Sequence, residues 1–74
     1  MKGGEIMKSN ILNAIKSGQK IRIKSVDEKW MTFDGKLSTQ PSDENIVGLT
    51  ISTYPQNSYF VNLANVIIVE TIGS

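Results

Sequence analysis

The sequence predicts a mainly β protein, a small five-stranded barrel preceded by a short N-terminal helix. Three observations lead there. Five segments show the two-residue alternation or the β-branched content of strands. Turn residues (Gly, Pro, Asn, Asp and Ser) separate those segments at short intervals. The one helical pattern lies ahead of the first strand. Seventy-four residues make one domain at most, so residues 9–74 are read as that domain and residues 1–8 as a flexible N-terminus.

The opening MKGGEIM can be encoded by AAA-GGA-GGT-GAA-ATA, a purine-rich run resembling a bacterial ribosome-binding sequence ahead of Met7. Translation is therefore expected to start naturally at Met7, in a bacterium or phage, with residues 1–6 weakly held. In SNILNAIKSG, Ile11, Leu12 and Ile15 form one apolar helix face over Ile11–Ser17. Ser9 or Asn10 can cap its start, and Gly18 suits the left-handed position after its end. So short a helix must pack on something to persist, most naturally the open end of a barrel.

The first strand, Lys20–Val26, alternates Ile21 and Ile23 with Lys20, Arg22 and Lys24. A polar turn at Asp27–Lys29 leads to a second, Trp30–Phe33. Asp34-Gly35 reads as a tight turn or bulge, with Lys36–Thr39 resuming the strand. After the loop QPSDEN, Ile46–Thr53 places Val47, Leu49 and Ile51 on one face. YPQNS reads as the next turn, started by Pro55. Tyr59–Leu63 and Val66–Ile72 complete the set. The last of these is β-branched almost throughout, which predicts cover on both faces.

Composition excludes several function classes. There is no Cys and no His, which removes disulfides, the usual zinc sites and the commonest catalytic base. A single core of this size gives about 3–5 kcal/mol of net stability, and with other staples excluded a homo-oligomer is expected. No apolar run approaches the roughly 20 residues that span a bilayer, and no signal-peptide core is present. No membrane partner and a cytoplasmic location are therefore expected. Net charge is only +1, yet it is unevenly spread. Residues 1–36 hold all eight Lys and Arg against four carboxylates, a net of +4, and residues 37–74 hold three carboxylates and no base, a net of −3. Such a dipole either steers an anion to one side or draws copies of the chain together.

The helix, the glycine of DGKL in the second strand and the closing VNLANVIIVE resemble the small Sm-like and SH3-like barrels of bacteria. That resemblance implies a binding domain with a short turn between its last two strands, here Leu63–Val66. The Sm signature itself is not reproduced, because Asp43 and Asn45 do not stand at its spacing from Gly35 and its basic-glycine pair is absent. No RNA pocket is carried over. At the front, ILNAIKSGQKIRIKSVDEKWM is similar to the opening of a phage family that sequesters the nucleotide signals of Thoeris defence. This covers residues 11–33 and implies a nucleotide-type ligand.

Catalysis has little to work with. The pairs Asp27-Glu28 and Asp43-Glu44 fall in predicted turns, where adjacent acids are ordinarily solvated turn formers. No glycine loop cradles a phosphate. Lys20, Arg22 and Lys24 stand at a spacing that can follow phosphates, and Trp30 can stack on a base. The competing reading makes these cations the solvated face of an edge strand and Trp30 a cap on the core. Tyr54 and Phe60 are further candidates, as a pocket wall or a subunit contact. The expectation is a non-enzymatic binding module with no cofactor and no metal, a sponge for a signalling nucleotide. Its alternatives are an Sm-like RNA binder and a protein-binding inhibitor or adaptor.

Overall fold

The first strand forms where the alternation is strictest. In the computed structural model, which describes residues 3–73, β1 (Lys20–Ser25) buries Ile21 and Ile23 almost completely and turns its cations outward. It pairs antiparallel with β2 (Trp30–Phe33) on one side and β5 (Val66–Ile72) on the other. The β1–β2 connection closes through the Glu28 amide on the Ser25 carbonyl (2.9 Å) and the Ser25 amide on the Lys29 carbonyl (3.0 Å). Glu28 takes the left-handed conformation there, at φ 64°.

A second sheet pairs β3 (Ile46–Ile51) with β4 (Tyr54–Asn62), and the 3₁₀ helix Leu63–Asn65 carries the chain from β4 into β5. Ile11, Ala14, Ile21, Ile23, Phe33, Val47, Leu49 and Leu63 form one core between the sheets and the helix. The Phe33 ring meets that of half-buried Tyr59, which packs against this core, at 5.9 Å. The radius of gyration of 11.3 Å is about that of one compact domain of this length.

The helix is longer than the sequence predicts. α1 runs Gly3–Lys16, so residues 3–8 are helical where a flexible segment is expected, and Ser9 and Asn10 lie inside the helix and cap nothing. Met7 extends the buried face one turn back from Ile11, and the Lys8 ammonium donates to the carbonyls of Pro41 (2.7 Å) and Asp43 (2.9 Å). The expectation for Met1 and Lys2 falls outside the described residues. The helix ends as predicted at Gly18, at φ 83°, with Gln19 N–H on the Ala14 carbonyl and Gly18 N–H on the Ile15 carbonyl, both 3.0 Å.

The sheets do not close into a barrel. Lys36–Thr39, expected as a resumed strand, makes no backbone ladder with β3, and one backbone bond with several side-chain bonds bridges the gap instead. Gly35 N–H reaches the Thr50 carbonyl (2.9 Å). The Thr50 hydroxyl donates to the Lys36 carbonyl (2.7 Å). The Gln40 amide group then pairs with both backbone groups of Gly48, at 2.8 Å each. This covering segment is why Gly48 and Thr50, on the face of β3 opposite to that of Val47 and Leu49, are buried as well.

Two further expectations are corrected. The turn before β4 is Ser52-Thr53, so Tyr54–Ser58 belongs to the strand. The Asp34 carboxylate fixes the earlier turn by accepting from the Ser52 amide and hydroxyl, both at 2.9 Å. Pro55 is tolerated because β4 is an edge strand. β5 is also an edge strand, and Ile67, Ile68 and Ile72 are exposed instead of covered.

Candidate functional site: a cationic face with one tryptophan

Register on the three-stranded sheet decides which side chains meet. Lys24 lies opposite Trp30 on β2 and Ile68 on β5, Arg22 opposite Thr32 and Glu70, and Lys20 opposite Ile72. Their inward neighbours Ile21 and Ile23 are anchored in the core, so the period-2 geometry sends all three cations to the outer face. The strand cannot shift by one residue without burying three charges. Sequence and packing fix this face together.

Trp30 is 40% exposed and does not serve as a core cap. The Arg22 guanidinium lies over its ring, 4.1 Å from the centroid, and the Lys24 ammonium stands 5.9 Å away. Arg22 is diagonal to Trp30 across the β1–β2 pair, within reach of a long side chain, and such cation–ring contacts contribute about 0.5–1 kcal/mol at exposed positions. Arg22 also meets Glu70 Oε1 at 3.4 Å. Both side chains of that pair are more than two-fifths exposed, so it contributes at most about 1 kcal/mol and opens at little cost. The arrangement offers a partly exposed indole ring, a guanidinium over it, and two further ammonium groups on one surface.

Of the six predicted ligand residues, Lys20, Arg22, Lys24 and Trp30 share this face. Tyr54 and Phe60 do not, since β4 belongs to the other sheet. Phe60 is 63% exposed opposite Gly48, and a Cβ on Gly48 would stand 3.3 Å from its ring. Glu70 is the residue that sequence reading misses. It is the single charge in β5, a signal that becomes useful only once the β1–β5 register is known.

The acidic pairs serve local structure. The Asp27 carboxyl is held below its ordinary value of 3.8, first by the Ser25 hydroxyl, and the Asp43 carboxylate accepts the Asn45 amide at 2.8 Å. The Asp34 carboxyl is likewise lowered, first by the Ser52 amide, then by the Ser52 hydroxyl, with a smaller contribution from nearby Lys20. Among the described residues no three acidic, His or Cys side chains gather as a metal site would require. No described helix is long and apolar enough to cross a membrane. Against known proteins, no family model, curated protein or solved structure matches this chain.

Proposed function

We propose that the protein is a non-enzymatic binding module for a nucleotide-type anion, taken up on the outer face of β1 and β2. The observation that carries this reading is the Arg22 guanidinium preset against Trp30, with Lys24 beside it and Lys20 further along the same strand. Lys20, Arg22 and Lys24 supply charge for phosphates, and the Trp30–Arg22 stack supplies a flat surface for a base. Glu70 holds Arg22 in the free protein and gives way to a phosphate, which is the stronger acceptor. The similarity of residues 11–33 to the phage nucleotide sponges supports the same reading, with sequestration as the biological role. Copies of the chain join through the exposed, nearly uncharged edges of β4 and β5.

Trp30 is the only tryptophan, so its fluorescence reports on this face alone. Titration with mono- and dinucleotides is expected to quench its emission to saturation. Arg22→Ala is expected to weaken binding at least about tenfold, the equivalent of one charge-assisted hydrogen bond, and Glu70→Gln to strengthen it. Native mass spectrometry of protein from its own host should release a small anionic molecule on denaturation. A ligand-free protein whose Trp30 emission ignores every nucleotide would overturn the proposal. An RNA ligand would instead show as affinity falling with log salt at about −0.7 per neutralised phosphate.

A further inference from the structure

The outer face of the three-stranded sheet is not uniform along β1. Register divides it into rows that cross the strands. One row is Trp30, Lys24 and Ile68, and the next is Thr32, Arg22 and Glu70. The last is Lys20 and Ile72, with Asp34 just past the end of β2. Neighbouring strands stand about 4.8 Å apart, so Trp30 and Ile68 flank Lys24 closely on either side.

The rows differ in charge. Arg22 is paired with Glu70 at 3.4 Å. Lys20 stands near Asp34, whose carboxyl is held low first by Ser52 and in smaller part by this ammonium. Lys24 makes no ion pair among the described residues. The acids nearest to it in sequence lie in the β1–β2 turn, where Asp27 is taken up by the Ser25 hydroxyl and the Lys29 ammonium. Set against Glu70 and Asp34, the three cations leave one charge in excess, and it sits in the row of Trp30. That row also holds the one ring of the face, and exposed Ile68 gives it apolar surface on the far side of Lys24. The Lys20 row has an exposed isoleucine but no ring. A run of phosphates laid along β1 towards Lys20 would pass Glu70 and end at Asp34, where like charges repel it.

We infer that this face takes a ligand with a single phosphate, of the nucleoside monophosphate class, its phosphate on Lys24 and Arg22 and its base against Trp30 and Ile68. The inference rests on the nucleotide reading and narrows it. A phosphate monoester carries about −1.5 to −2 charges at neutral pH, which Lys24 and a released Arg22 together match. Lys20 attracts the ligand from a distance, and Ile68 is a contact that the cationic stripe alone does not disclose.

The test follows Trp30 emission of the full chain on titration with 5′-AMP, ADP, ATP and a deca-adenylate. AMP is expected to bind within about threefold of ADP and ATP, since added phosphates meet Glu70 and Asp34. Log affinity for the deca-adenylate should fall with log salt at about −0.7, the slope of one neutralised phosphate. Lys24→Gln is expected to weaken AMP at least about tenfold, and Lys20→Gln about twofold. Ile68→Thr, which keeps a β-branched residue in the strand, should cost about threefold through lost apolar contact. Affinity rising about tenfold or more from AMP to ATP, a salt slope of about −1.4 or steeper, or equal losses for the two lysine variants would overturn the single-phosphate site while leaving the nucleotide reading in place. An Ile68→Thr protein that binds AMP as well as the parent would remove Ile68 from the site. Emission that ignores all four probes would overturn this inference and the nucleotide reading together.

Discussion

At Gly35 the constraint is space. A Cβ there would stand 2.7 Å from the Thr50 carbonyl carbon, backbone that cannot rotate away. Gly35→Ala is expected to cost about 3 kcal/mol, most of what a core of this size provides, and its urea midpoint should fall close to zero. Asp34 makes a second prediction. Its folded pKa is depressed by Ser52, so the stabilisation it gives is complete above its unfolded value, near 3.8, and is lost as pH falls through the lower folded value. Urea midpoints should therefore drop on acidification below about pH 4, and Asp34→Asn should flatten that decline, leaving the share that belongs to Asp27. An Asp34→Asn protein with the parent's acid profile would show that the Ser52 contacts carry no linkage.

Among elements, the segment after β2 is the least ordinary. Gln40 lends its side-chain amide to Gly48 as a strand would lend its backbone. Gln40→Ala strands two buried backbone groups, so a loss of about 2 kcal/mol is expected. Hydrogen exchange should report it first as faster exchange at Gly48 than at Val47, whose strand partner is Val61. This arrangement also explains what the sequence could and could not disclose. The alternation of Ile21 and Ile23 made β1 and its cationic face plain, and Gly18 marked the helix end. A side chain standing in for a ladder has no period, so the gap at Lys36–Thr39 was invisible and a closed barrel was the natural expectation. Pro55 and Asn57 imitated a turn because an edge strand tolerates residues that an inner strand rejects. Arg22 over Trp30 follows from spacing within one hairpin. Glu70 beside Arg22 depends on contact between distant segments, which local pattern does not encode.

For the whole molecule, two long edges stand open. β4 carries no charged residue and β5 carries only Glu70, whereas a monomer ordinarily guards such edges with charge. Sedimentation equilibrium at micromolar concentration is expected to give a mass above the 8.2 kDa of one chain, and Phe60→Lys, which charges β4 beside its free edge, should return it towards the monomer. A parent protein that is already monomeric there would remove the assembly part of the proposed function. The join between the two sheets bears on how such a protein changes over generations. A backbone ladder is written into every residue alike, and no single codon can erase it. Here, beside the one backbone bond from Gly35 to Thr50, the join rests on the side chains of Asp34, Gln40 and Thr50, three positions that one nucleotide change each can strengthen, loosen or re-aim. Selection can thus re-seat the segment from Asp34 to Gln40 while β1 and its face stay as they are.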